Sequence, residues 1–126
     1  MTVVVDTSAI LAMEFEEPGA EYELSRMQGA LLSTVNLAEA MSRLIDRTGQ
    51  RRNLAGLISR LNLHLEPFAL TDAVAAADLR NVTRRFGLSL GDRACLALAQ
   101  RLGLAALTAD RAWANIDVGV TVELIG

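Results

Sequence analysis

An α/β sandwich on a mostly parallel sheet is the fold class this sequence predicts, and three observations predict it. The chain opens on Thr2-Val3-Val4-Val5, a continuous β-branched run that stops at Asp6. Such a run reads as a strand buried on both faces, as in parallel sheets. Strand-like runs then alternate with stretches of helical periodicity to the end of the chain. Finally, 126 residues that are 52% hydrophobic and 21% charged, with no linker, repeat or low-complexity tract, suit one domain, residues 1–126, with a sizeable core.

The elements follow in order. After the strand at 2–5, Thr7 and Ser8 open a helix through Ile10, Leu11 and Met13, which the acidic turn 14–19 breaks. Pro18 is placed to start a second helix over about 20–27. Gly29 precedes a strand at 30–33. A third helix carries Leu37, Met41, Leu44 and Ile45 at helical spacing and closes at Gly49. The fourth helix is expected over 51–61, and 65–68 reads as a weak strand that Pro67 confines to an edge. A fifth helix is expected over 72–86, capped by Gly87, and a sixth from Ser89-Leu90-Gly91-Asp92 through Leu102 to Gly103. Strands at 105–108 and 121–125 flank a turn at 110–114.

Composition narrows the function. Net charge is -3, so binding of nucleic acid by bulk charge alone is excluded, although all 12 basic residues are Arg and none is Lys. Aromatics at 4% are too sparse for base stacking on an exposed sheet. The single Cys95 excludes a disulfide framework and an all-cysteine metal site. No stretch is long enough to span a membrane, and Met1 leads straight into a strand instead of a basic leader, so a cytoplasmic location is expected.

Ligands of open α/β sheets bind beyond the carboxyl ends of the strands. Asp6 ends the first strand and Asp110 follows the strand that finishes at Thr108, while Asp92 opens the sixth helix and Glu39 lies early in the third. Each acid has an ordinary structural alternative. Asp6 and Asp110 suit turns or helix caps, and Ser89 with Asp92 resembles a capping box. Glu39 stands four residues before Arg43, the spacing of a surface ion pair. Glu39, Asn36 and Arg43 fall on the side of the helix opposite its apolar stripe, facing either solvent or a polar cleft.

Taken together, the segments VVVDTSAIL, STVNLAEAM, LSLGDRACLALAQRLG and LTADRAWA resemble the successive motifs of the PIN domain, most closely the VapC-type toxins of bacterial toxin–antitoxin pairs. The resemblance covers nearly the whole chain, in the family's order and spacing. It implies a PIN-like three-layer sandwich around a five-stranded, mostly parallel sheet. Its acidic quartet falls on Asp6, Glu39, Asp92 and Asp110, and its supporting hydroxyls on Ser8 and Thr108. The implied activity is metal-dependent endoribonuclease cleavage, leaving a 5′-phosphate and a 3′-hydroxyl. The implied partners are an RNA substrate, a VapB-like antitoxin and a second copy in a homodimer. Alternatives are a PIN domain retained as an interaction module and a PIN nuclease that processes RNA without being a toxin.

Two unit charges 4 Å apart repel by about 4 kcal/mol at an effective dielectric of 20, so crowded carboxylates call for a cation. An all-oxygen donor set favours Mg²⁺ or Mn²⁺, with Asp6 and Asp92 as direct ligands and Glu39 and Asp110 acting directly or through water. Arg43, Arg47, Arg51, Arg52, Arg84, Arg93 and Arg111 are the candidate phosphate contacts, each alternatively part of a solvated face. Rival folds fit poorly. A receiver domain needs a lysine, a haloacid-dehalogenase-type phosphatase needs an aspartate where Ser8 stands, and a dinucleotide fold needs a glycine-rich first turn. His64 lies outside the motifs, and Cys95 and Trp113 read as core.

Overall fold

The computed structural model describes residues 2–125 except Asn53. Its centre is a five-stranded sheet in the order β3-β2-β1-β4-β5, made of Val3–Val5 (β1), Leu31–Ser33 (β2), His64–Glu66 (β3), Ala105–Thr108 (β4) and Val122–Leu124 (β5). Every pairing is parallel, so the sheet is fully parallel. Helices cover both faces, as parallel sheets require.

The first three valines show how the layers form. All three are fully buried, and side chains alternate across a strand. Val3 and Val5 join Leu32, Leu107, Ile10 and Leu44 in one core, while Val4 joins Ala106, Leu96, Leu98 and Trp113 in the other. Each such side chain contributes about 1.5–3 kcal/mol by leaving water. The first face is covered by Thr7–Glu14 (α1), Leu24–Met27 (α2), Thr34–Thr48 (α3) and Ala55–Arg60 (α4). The second is covered by Leu70–Asp78 (α5), Arg80–Thr83 (α6) and Leu90–Leu102 (α7). Among the described residues, no helix is long and apolar enough to cross a membrane.

Several boundaries differ from the sequence expectation. The second helix is a 3-10 turn, Ala20–Glu23, followed by α2. The fourth starts four residues late: Leu54, with φ +57°, caps α4, and Asn53 of the expected helix lies outside the described residues. The fifth divides into α5, α6 and a 3-10 turn, Arg84–Phe86. Asn81, Val82 and Thr83 are poor helix formers, and the Thr83 hydroxyl donates to the Leu79 carbonyl at 2.7 Å, competing with the helical ladder.

The buried line of α3 also runs differently. Ile45 is exposed, and Asn36 lies with Ala40 and Leu44 on the buried side, not opposite it. The helix packs against both α1 and α7, so its buried arc is wider than its apolar stripe.

Candidate active site

The sheet order places the reversal of strand progression between β1 and β4, and open α/β sheets bind ligands in the crevice at such a point. The register Val5 to Leu107 puts the residue after β1 beside the last residue of β4. That residue is Asp6, whose N–H donates to the Leu107 carbonyl, and its neighbour is Thr108.

Asp6 caps α1, its Oδ1 accepting the Ala9 N–H at 2.9 Å. The Ser8 hydroxyl donates to the same carboxylate at 2.8 and 2.9 Å, and the Thr108 hydroxyl donates to Oδ2 at 2.7 Å. Each hydroxyl, its proton engaged, accepts a backbone N–H: Ser8 from Ala109 at 2.9 Å and Thr108 from Asp110 at 3.0 Å. The turn after β4 is thereby tied to Asp6 through two polarised hydroxyls. Asp6 is 1% exposed. Burial pushes its carboxyl up from the ordinary 3.8 to about 6, helped by the Asp92 charge and opposed by bonds from Thr108, Ala9 and Ser8.

The other three acids reach the crevice from α7, α3 and the turn after β4. Asp92 and Ser89 form the expected capping box: the Ser89 N–H donates to Asp92 Oδ2 at 2.8 Å, and the Asp92 N–H donates to Ser89 Oγ at 3.1 Å. Burial raises the Asp92 carboxyl, against the Ser89 bonds, and the charges of Glu39 and Asp110 raise it further. Asp110 caps the 3-10 turn Arg111–Asn115 by accepting the Ala112 N–H at 2.9 Å. Each aspartate therefore fills its structural role and still lies within electrostatic reach of another acid. The sequence alternatives coexist.

Glu39 is held differently. A Cβ on Gly91 would lie 2.7 and 2.8 Å from its two carboxylate oxygens, so any side chain there would displace the carboxylate. Its Oε1 is buried without a hydrogen-bond partner, and Arg43 approaches it only to 3.9 Å. The third helix thus presents Glu39 to a polar cleft. Asn36, one turn earlier, fixes that approach: its Nδ2 donates to the Gly91 carbonyl at 3.0 Å and to Thr7 Oγ1 at 3.1 Å, and Thr7 Oγ1 donates to the Asn36 carbonyl at 3.2 Å. Sequence reading missed Asn36, Thr7 and Gly91 as parts of the site. The available signal was the i, i+3 spacing of Asn36 and Glu39 and a glycine directly before Asp92.

Among the described residues, no three His, Cys, Asp or Glu side chains are drawn tightly enough together to form a finished metal cage. The donors nevertheless suit a hard divalent cation. All are oxygen, one buried carboxylate oxygen lacks a hydrogen-bond partner, and burial, reinforced by the charge of neighbouring acids, raises Asp6 and Asp92. Mg²⁺ retains several waters and takes one or two carboxylates directly, which asks for no tight cage.

The expected arginines divide. Arg43 faces Glu39, Arg47 pairs with Glu17 at 3.8 Å and covers the Phe15 ring, and Arg52 pairs with Glu14 at 3.3 Å. The Arg93 Nη1 donates to the Ala76 carbonyl at 2.9 Å, turning toward α5. Arg51, Arg84 and Arg111 are exposed and lie in no ion pair among the described residues. His64 sits on β3, away from the β1/β4 crevice, while Cys95 and Trp113 are buried, and burial pushes the Cys95 thiol well above its usual range.

Comparison with known proteins follows the geometry. The PIN domain family profile matches residues 3–119. Among solved structures, the sarcin–ricin loop cleaving toxin VapC20 of Mycobacterium tuberculosis is similar at a TM-score of 0.75 and 21% identity, over 94% of this chain and 98% of that one. DNA-bound VapBC of Salmonella typhimurium is similar at 0.72 and 21% identity, over 98% of this chain and 97% of that one. A toxin–antitoxin complex from Klebsiella pneumoniae is similar at 0.70 and 19% identity, over 94% and 95%. A search against curated protein sequences finds no significant match.

Proposed function

We propose, since this chain belongs to the PIN domain family, that it is a metal-dependent endoribonuclease, the toxin of a VapBC-type toxin–antitoxin pair. What supports this reading is that Asp6 and Asp110 follow the adjacent strands β1 and β4, and that Asp92 lies within electrostatic reach of Glu39, Asp110 and Asp6. Asp6 and Asp92 would hold Mg²⁺ or Mn²⁺ most directly, with Glu39 and Asp110 completing the pocket directly or through water. When bound, the cation supplies Lewis-acid stabilisation of the phosphodiester and favours ionisation of a water.

The chain's own groups do the rest. Ser8 and Thr108 aim the Asp6 carboxylate by donating to both of its oxygens. Glu39 Oε1, which has no hydrogen-bond donor and only Arg43 at 3.9 Å, would accept a proton from a water in the crevice. Asp110 keeps one carboxylate oxygen free of its cap bond. The expected products are a 5′-phosphate and a 3′-hydroxyl.

A VapB-like antitoxin and a homodimer belong to the same reading. The solved relatives include complexes with antitoxin or DNA, and Leu70 and Val74, four residues apart on α5, are 79% and 54% exposed, a strip suited to a second copy. The test is incubation of a total-RNA pool with the wild type and Asp6→Asn under Mg²⁺, Mn²⁺ or EDTA. Discrete fragments that need both the metal and Asp6 are expected. Equal cleavage by both proteins, or cleavage in EDTA, overturns the reading.

A further inference from the structure

We propose that the groove between residues 81–86 and 115–117 binds one unpaired nucleotide of the RNA strand next to the scissile bond; the inference rests on the nuclease reading above. The groove holds about 670 Å³, inside the roughly 300–1,000 Å³ range of small-ligand sites. Its walls carry Asn81, Arg84, Arg85, Phe86, Asn115 and Asp117. They are joined in sequence to the acidic crevice on both sides. Phe86 runs through Gly87 and Leu88 into the Ser89–Asp92 capping box, and Asn115 ends the 3-10 turn that Asp110 caps. At about 2.0 Å per residue, that five-residue turn spans roughly 10 Å, which a single strand covers in a few nucleotides.

Charge selects the ligand. Arg43, Arg47 and Arg52, on the α3 side, face Glu39, Glu17 and Glu14. Arg84 and Arg85 have no carboxylate partner among the described residues; Arg84 Nη2 only donates to Asn81 Oδ1 at 3.4 Å. Their positive charge is available to a phosphate. The Arg85 guanidinium lies over the half-buried Phe86 ring at 4.9 Å, a flat cationic surface on which a base can stack. Asp117 is wrong for a bare phosphate but accepts from the amino and imino groups of a base edge, and the two asparagines can both donate and accept. Cations, a stacking surface and mixed edge partners fit a whole nucleotide better than an isolated anion. The other large cavity, about 440 Å³ on the opposite face, is lined by Glu16 and Glu21 with one Arg60 and repels a polyanion.

The experiment measures binding of a fluorescent single-stranded RNA dodecamer of random sequence, and of an abasic dodecamer, in the Asp6→Asn background with Mg²⁺. The double change Arg84→Ala/Arg85→Ala alters net charge as much as the control Arg60→Glu. The double change should weaken RNA binding about tenfold and reduce the log–log salt slope by about 1.4, as for two lost contacts to single-stranded phosphates, while the control shifts affinity less than about twofold. Asn115→Ala/Asp117→Ala should at least halve the preference for RNA over the abasic strand, the stack on Arg85 retaining the rest, and should not weaken abasic binding. If the wild type cleaves RNA but the double change and the control bind alike, or the abasic preference survives undiminished, the groove proposal fails and the nuclease reading stands. If the wild type does not cleave, both fall.

Discussion

At Asp6 the carboxylate that caps α1 through Oδ1 also takes the hydroxyl protons of Ser8 and Thr108, so a cation would compete with a proton at a site already organised for negative charge. Its carboxyl is raised to about 6, so ionising it in the folded chain costs about 3 kcal/mol. Below about pH 4 the group is protonated both folded and unfolded, and the cost is absent; it grows between about pH 4 and pH 6 and is complete above that. Asp6→Asn should therefore be more stable than the wild type in EDTA at pH 8 and lose that advantage at pH 4, as read by urea unfolding. Added Mg²⁺ should stabilise the wild type and not the variant. Equal stabilities at both pH values would remove the argument from burial. Gly91 gives a second expectation. A Cβ there displaces the Glu39 carboxylate, so Gly91→Ala should lower kcat about a hundredfold while stability stays within about 1 kcal/mol of the wild type. Unchanged turnover would show that the placement of Glu39 is immaterial.

The bond from Asn36 to Gly91 works at the scale of elements, joining α3 to α7, while the bond to Thr7 joins α3 to α1. Asn36→Ala leaves the buried Gly91 carbonyl without this donor and should cost about 2–3 kcal/mol and lower turnover, with both losses checked by unfolding and by initial rates. At this scale the sequence was informative where local chemistry decides. The Ser89/Asp92 capping box stands, and Gly49 closes α3 with φ +77° as expected. It was silent where packing decides. The division of the fifth helix depends on a Thr83 hydroxyl finding the Leu79 carbonyl, and the late start of α4 on a left-handed Leu54. Asn36 was misplaced for the same reason: periodicity records where apolar residues lie, and a helix with neighbours on two sides can bury an amide as well. The acids themselves were legible because strand ends and motif order locate them, but Gly91 becomes informative only once α3 lies against it.

On the scale of the whole molecule, a fully parallel sheet with its reversal between β1 and β4 sets Asp6 and Asp110 at the ends of adjacent strands, with Asp92 of α7 and Glu39 of α3 within electrostatic reach, and on the proposed reading the net charge of -3 would leave RNA attraction to a few unpaired arginines. The arginine pattern was visible in the sequence, but which arginines are neutralised depends on Glu14, Glu17 and Glu39, whose positions only the fold supplies. The central claim is that the carboxylates act as one cation site, and titration with Mn²⁺ followed by electron paramagnetic resonance tests it most directly. The wild type should take up Mn²⁺ at pH 8, and Asp6→Asn and Asp92→Asn should each weaken uptake at least about tenfold, while Arg60→Glu should leave it unchanged. Uptake by both aspartate variants equal to that of the wild type would contradict the account.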